Sequence, residues 1–560
     1  MTNNDTRSVS SIFIVFLVIG LVIFLLLGGI PAIYTALLSI NEYSLIHGIW
    51  DSPWVGMHYY GELVSTGMLG RMLGNSFILS FMPVIIAVIV AVPVAGVVGA
   101  MKPGWMRSLC TVALVLPAFI PDSILAYTVQ YMSTAPAFTG AASFRLVTIL
   151  LSSIEIVAVG AFVGACAAGI YKDRGGNVVS GAIVGVLIGV AVSLVRFLSV
   201  NVELVTMFNN LHVTQYSETF GMVGRQAGLI TMQFPLASAT WIIKTVLQLV
   251  AAVLVSVVVF KAIRGRLDGS GDGLDGIGTR LDGTGERLNG IGGRLDGTGD
   301  GLDGIGGRHD GNGGNGSGID GTSSGAYSSD GRTQSGIVPG FVFIVLTLVG
   351  LLLPATLGNA SGGTGLIQVG NSVFMTVFAA VIFGVLTFSL ALWLCVNMRH
   401  IGALILVLLM VAIVDNVIGE VMFYRLLGLV DTRFAVIFAS GFSLVFVLPL
   451  AYLTRLKNPG STSISSTLRG MFPYFIVFCG LFIANTWGSR MHQHTMLRTR
   501  AHWGVPLEFW SAFLDGAVSG RMVLALTLPV LIIAGATVLI YLVISRKENR
   551  RETSAEIGTM

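Results

Sequence analysis

Twelve long apolar runs constrain this chain more than any other feature. They fall near residues 12–36, 77–101, 108–132, 146–170, 178–199 and 235–261, and again near 337–357, 373–397, 401–423, 434–454, 470–487 and 522–545. A helix rises 1.5 Å per residue, so about 20 apolar residues cross the hydrocarbon of a bilayer. The runs are continuous rather than alternating, which excludes the dyad pattern of a membrane β-barrel. Composition agrees: 54% of residues are hydrophobic and 11% charged, where a soluble domain carries about 25% charged residues. The expected fold is an all-α integral membrane protein of twelve transmembrane helices. The net charge of +4 comes from small basic clusters between the runs, which points to membrane orientation and not to nucleic acid. Cys110, Cys166, Cys395 and Cys479 lie inside apolar runs without a CxxC spacing, so they read as packing residues. The first run is too long for a signal-peptide core and reads as a retained span.

Lys and Arg set the orientation. One side of the predicted topology collects Lys102 and Arg107, Lys172 and Arg174, and Lys261, Arg264 and Arg266. The same side later collects Arg399, then Arg455, Lys457 and Arg469, then Arg546, Lys547, Arg550 and Arg551. The opposite side has two uncharged loops, 133–144 and 358–369, although its last loop, 488–521, carries Arg490, Arg498, Arg500 and Arg521. Both termini are therefore expected in the cytoplasm, with the chain a multi-pass protein of the bacterial cell (inner) membrane. Four regions follow: a first half (1–262), a linker (263–335), a second half (336–545) and a cytoplasmic tail (546–560). The linker repeats a seven-residue unit, "RLDGSGD GLDGIGT RLDGTGE" and onward from Arg266. Each unit holds two to four glycines, and Gly costs about 1 kcal/mol per helical position, so a coiled coil fails. Calcium-binding β-rolls use a nine-residue period. The expectation is a disordered cytoplasmic tether with a reach of roughly 45–50 Å.

The halves repeat more than a span count. "GNSFILSF" opens the second span of the first half at 74–81, and "GNSVFMTV" that of the second half at 370–377, 296 residues later. Asp122 in "AFIPDSILAY" and Asp415 in "VAIVDNVIGE" mark the two third spans, 293 residues apart. An even number of spans per half makes the halves face the same way. That is a parallel 6+6 repeat, with a pathway expected between the halves near the bilayer midplane.

Further stretches carry a family resemblance. "NEYSLIHGIWDSPWVGMHYYGEL" at 41–63 is similar to the loop after the first span of sugar-importer permeases, which ends in "SPWVGL-x-N-[FY]". Ser52, Pro53, Trp54, Val55 and Gly56 match, and Met57 and Tyr59 are conservative stand-ins. "ELVTMFNNLHVTQYSETFGMVGRQAGL" resembles a later outer loop of that family. "FPLASATWIIKTVLQLV" keeps its Ala-x-Ala pattern before a lysine, here Lys244, and "RLLGLVDTRFAVIF" at 425–438 resembles its "LGL-x-[ND]-T" element. The chain thus resembles a type I binding-protein-dependent ABC importer permease of the sugar and oligosaccharide kind, with two permease halves fused. The resemblance implies alternating access, two cytoplasmic ABC ATPase subunits that use ATP, and an extracytoplasmic solute-binding lipoprotein. It also implies an "EAA-x-x-x-G" docking loop between spans four and five, from which this chain departs. The first such loop is only "YKDRGGN" (171–177), and the second, "TRLKNPGSTSISSTLRGMFP" (454–473), lacks the Glu-Ala-Ala and its glycine. Coupling to the ATPases is expected around Lys172, Asp173 and Arg174 and at Arg455, Lys457 and Arg469.

No GxxxxGK[ST] loop and no spaced nucleophile–base pair occurs, so the chain is expected to be a transport subunit rather than an enzyme, with no cofactor of its own. Ionisable residues inside spans are costly and mark functional sites. Asp122, Asp415, Glu155 and Glu420 are the candidates for the solute pathway, with helix-packing contacts as the alternative for the aspartates. Glu155 has no matched counterpart. Arg196 lies near enough to a span end to snorkel, and Lys244 reads as structural. His492, His494 and His502 share one loop without an acidic or thiol ligand nearby, so no metal is expected. Arg498 and Arg500 offer a surface to a binding protein. Two alternatives remain open. One is an ion- or proton-coupled transporter titrating Asp122 and Asp415, although "GAMKPGWMRS" (99–108) lacks the aspartate of the major facilitator signature. The other is a permease-derived scaffold or sensor.

Overall fold

The computed structural model describes residues 3–44, 46–132, 140–267, 334–357, 365–414, 416–441, 443–459 and 464–557. Residues 268–333 of the linker, 133–139 and 358–364 of the two uncharged loops, and Asp415 lie outside the described residues. Among the described residues the fold is helical, with two isolated bridges, Asn41–Trp54 and Ser44–Gly48. The chain is a multi-pass membrane protein by the length and apolarity of its helices.

The first part runs α1 (Asn3–Phe24), α2 (Ile30–Leu38), α3 (His58–Ser65), α4 (Met68–Gly99), α5 (Trp105–Ala113) and α6 (Asp122–Met132). It continues with α7 (Ala141–Asp173), α8 (Val178–Val195), α9 (Val202–Phe208), α10 (Thr214–Ser217), α11 (Phe220–Arg225) and α12 (Phe234–Leu267). The second part runs α13 (Gln334–Leu357), α14 (Leu366–Asn397), α15 (Ile401–Ile413), α16 (Val417–Leu426), α17 (Arg433–Gly441) and α18 (Val447–Lys457). It ends with α19 (Ile464–Gly488), α20 (Met491–Met496), α21 (Val505–Leu514) and α22 (Gly520–Ile557).

Among the described residues, eight helices are each long and apolar enough to cross a membrane, or nine when α15 and α16 count as one bent span. The sequence led us to expect twelve. The expected span near 108–132 is broken because Pro117 and Pro121 withhold backbone donors, and the residue before Pro121 is driven out of the helical region, with Ile120 at φ −77°, ψ 115°. The run near 401–423 forms two helices, α15 and α16, whose axes differ by 75°. There Asn416 caps α16 by accepting from the Gly419 N–H at 3.0 Å. Its amide donates to Pro31 O and Thr35 Oγ1 of α2 at 3.2 and 2.9 Å. The run near 434–454 splits into α17 and α18, and the apolar stretch of α13 covers Phe341–Leu352.

Small residues set the tightest packing. Every residue of α7 from Ala158 to Gly169 is buried, so this helix is enclosed on all sides. Gly181, Gly185 and Gly189 recur every fourth residue along one face of α8. A Cβ on Gly185 would sit 2.7 Å from the Gly164 Cα and 2.8 Å from the Val163 carbonyl oxygen of α7. Without such side chains two membrane helices approach backbone to backbone. The first and second parts also interlock: α12 packs on α15, α22 on α5, α1 on α14, and α18 on α7 and α8.

The two GNS stretches do the same mechanical task. Asn75 of α4 donates to the carbonyls of Gln215 and Glu218 at 2.9 and 3.2 Å, and Ser76 Oγ accepts from the Phe220 N–H that opens α11. Asn371 of α14 donates to the carbonyls of Ala501 and Trp503, both at 2.8 Å, and Ser372 Oγ accepts from the Val505 N–H that opens α21. Each pair staples a folded-back loop to its long helix. Replacing Asn371 by alanine is expected to leave both carbonyls unpaired and to cost about 1–3 kcal/mol. Faster limited proteolysis within 497–504 together with a lower melting temperature checks this.

Candidate functional site

The loops after α8 and α19 fold back as short helices and close one end of the bundle, here called the loop-rich end. The turns 100–104, 174–177 and 398–400 mark the opposite, basic end. Between the two ends lies a chamber of about 360 Å³, walled by both parts of the chain. Asp122, Glu155, Arg196 and Glu203 face it from the first part, and Glu420, Ser443, Phe446, Thr486 and His492 from the second. A neighbouring cavity of about 260 Å³ shares Arg196, Glu203, Glu420 and His492 and adds Arg225 and Lys244. A third, of about 230 Å³, shares Glu155 and Arg196.

Local structure explains how these groups reach the chamber. Pro121 ends the turn before α6 and places Asp122 at the first helical position, where Asn201 Nδ2 donates to its Oδ2 at 2.5 Å. Asn201 also caps α9 by accepting from the Leu204 N–H at 3.2 Å, which orients Glu203. Glu203 pairs with Arg490 at 3.3 Å, and the Arg490 guanidinium lies 3.7 Å from the centre of the Trp510 ring. Glu155 sits near the middle of α7 and borders two of the cavities. Ser123 Oγ donates to the Gly488 carbonyl at 3.2 Å, tying the start of α6 to the end of α19.

The two parts of the chain also touch towards both ends of the bundle. At the loop-rich end, Arg225 of α11 meets Met491 Sδ, and its Nη2 is 2.7 Å from His494 Nδ1. At the basic end, Arg174 donates to the Leu456 carbonyl and, at 3.2 Å, to the Lys457 carbonyl at the end of α18.

Of the expected pathway residues, the fold brings Asp122, Glu155 and Glu420 to one chamber, and Asp415 lies outside the described residues. The expected coupling residues sit together at the basic end, and several serve the chain itself. Asp173 forms a two-pronged pair with Arg107, at 2.8 and 2.5 Å. Lys172 donates to the carbonyls of Ala100 and Met101. Arg455 is buried in α18, Lys457 lies 6.0 Å from the centre of the Tyr474 ring, and Arg469 is exposed. The three loop histidines diverge: His492 approaches Ser489, His494 meets Arg225 and His502 approaches Asp431. Among the described residues no group of three or more His, Cys, Asp or Glu side chains has a metal-holding arrangement.

Glu203, which lines the chamber, and its partner Arg490 were missed by sequence reasoning, because both fall in stretches read as loops. Asp431, the acidic residue of the "LGL-x-[ND]-T" element, is a clamp rather than a chamber group. It stands at φ 66°, in the "GLVDT" stretch, and accepts from the N–H groups of Arg498 and Thr499 at 2.7 and 2.8 Å and from Thr499 Oγ1 at 2.5 Å. Desolvation pushes its pKa up, but these bonds and His502 outweigh it and hold the carboxyl at about 2. A depressed carboxyl stabilises the fold above its unfolded pKa of about 4, and that contribution is lost as the pH falls from 4 towards 2. Asp431→Asn is therefore expected to flatten the acid limb of the stability curve in that window, as read by thermal melts between pH 2 and 6.

The chain matches no protein-family model, no curated protein and no solved structure.

Proposed function

We propose that this chain is the membrane-spanning permease of a solute transporter, built as two like-facing sets of six helical segments that rock about the shared chamber. The observation that carries this is the chamber itself. Both halves wall it, and one half meets the other towards each end of the bundle, at Arg225–His494 and Arg174–Leu456, contacts that would serve as the two seals. Alternating access needs two seals that break in turn, each made between bodies that move. The matched Asn–Ser staples of α4 and α14 support the repeat. With the basic end cytoplasmic, both termini and the linker face inward and the loop-rich end faces outward.

By its resemblance the machine is a type I ABC importer permease with fused halves. It takes a sugar or oligosaccharide from an external binding lipoprotein and is driven by two ATPase subunits that bind ATP. Binding alone cannot drive net uptake; ATP must favour one arrangement over the other. The carboxylates facing the chamber favour one alternative, an ion-coupled transporter that works without an ATPase. Purification from native membranes separates the two. A stoichiometric ATPase supports the first, and a lone chain with proton-dependent uptake the second.

The seals give a direct test of the chamber. With Cys110, Cys166, Cys395 and Cys479 replaced by alanine, a Thr486→Cys reporter faces the chamber. Adding Arg174→Ala is expected to speed its labelling from the cytoplasmic side, and adding Arg225→Ala from the outer side. Equal rates from both sides in both variants would contradict the gating.

A further inference from the structure

We propose that the chamber selects small organic cations and holds the solute's ammonium group between Asp122 and Glu155. This rests on the transporter reading and narrows its solute. Among the described residues, four carboxylates line the main chamber, those of Asp122, Glu155, Glu203 and Glu420, and its basic groups are Arg196 and His492. Glu203 is already paired with Arg490. Arg225 and Lys244 border the adjoining cavity, not this one, and Arg225 is engaged by Met491 and His494. The unmet demand lies at α6 and α7. Asp122 receives a hydrogen bond on Oδ2 from Asn201, and Glu155 has the charges of Arg196 and Asp122 as neighbours, so a single protein cation stands beside the two acids. Two carboxylates facing one space inside a membrane protein need a counter-charge or a proton.

The described residues hold no metal-like cluster of three or more ligands, so the acids are too dispersed to chelate an ion. They suit a larger cation whose charge sits at one end. A space of about 360 Å³ lies near the small end of ligand pockets, which span about 300–1,000 Å³. That volume admits one small solute and excludes a long oligosaccharide. An amino sugar satisfies both this chemistry and the sugar-importer resemblance.

The test uses charge-matched thiol reagents on the full chain in lipid nanodiscs. In the cysteine-free background, Thr486→Cys and, independently, Ser443→Cys are exposed to 2-(trimethylammonium)ethyl methanethiosulfonate and to 2-sulfonatoethyl methanethiosulfonate. Each rate is normalised to that with a free thiol in water. The cationic reagent is expected to react at least about tenfold faster, since a cleft of one charge concentrates the opposite one. Asp122→Asn with Glu155→Gln is expected to remove the preference without lowering reporter access. No preference, or preference for the sulfonate, overturns the cation class and leaves the transporter standing. Failure of both reagents at both positions in folded protein means that no solute reaches the chamber, and overturns both proposals.

Discussion

Replacing Arg490 by alanine is expected to destabilise the protein by about 3–5 kcal/mol, the cost of stranding one member of a buried ion pair. The Arg490 side chain is 3% exposed and that of its partner Glu203 is 11% exposed. Besides the 3.3 Å ion pair, Arg490 donates to the Glu203 backbone carbonyl at 3.3 Å and stacks on Trp510. Alanine removes all three contacts and leaves Glu203 facing the chamber with no cation behind it. The pair also joins α9 of the first half to the segment after α19 of the second, so its loss loosens the chamber wall. A melting curve in detergent reads the destabilisation. The double variant Glu203→Gln, Arg490→Met is expected to recover part of it, because neither charge is then left unpaired. A loss under about 1 kcal/mol for Arg490→Ala would show that the pair is hydrated and spends little on desolvation.

Gly185→Leu is expected to do more damage still. At this position even a Cβ lies within 2.8 Å of the α7 backbone at Gly164 and Val163, and backbone has no flexible end to move aside. The helices must separate, which breaks a seam so tight that a Cβ added at Gly164 would lie 2.8 Å from Ala95 Cβ and 2.6 Å from Val186 Cγ2. The chain is expected not to accumulate as a folded, monodisperse protein in detergent size-exclusion chromatography. Gly535→Ala, on α22 with nothing within 4 Å of a new Cβ, is the control and is expected to behave as the parent.

Much of this architecture was legible in the sequence, for physical reasons. Lipid solvation demands long apolar helices, so their approximate places follow from hydropathy. The GNS stretches stood out as a repeat at the start of two matched apolar runs, and in the fold each polar pair finds its partners in a loop that folds back. Asp122 and Glu420 drew attention as charges inside apolar runs, and both reached the chamber. The breaks were harder to see. Hydropathy does not register a chain turning where Pro121 forbids a helical predecessor or where Asn416 caps a new helix. Glu203 and Arg490 were hidden because loop residues read as solvated until the fold tucks them inward. The glycine spacing at 181, 185 and 189 was present in the sequence, and its packing role became evident only with α7 against it. The basic cluster at Lys172, Asp173 and Arg174 looked like a surface for another subunit. The fold gives two of its side chains a task within the first half, through Arg107 and the 100–101 carbonyls, and one a task between halves, through Leu456.

The central claim is that the two halves face the same way across one membrane. Single cysteines at Leu211 and Leu514, both well exposed at the loop-rich end, and at Val179 and Arg469, at the basic end, test it most directly. In intact cells a membrane-impermeant maleimide is expected to label the first two and spare the second two, with labelling of all four after the membrane is opened. Labelling of Leu211→Cys and Arg469→Cys together from outside, with Leu514→Cys protected, would place the halves in opposite orientations and contradict the account.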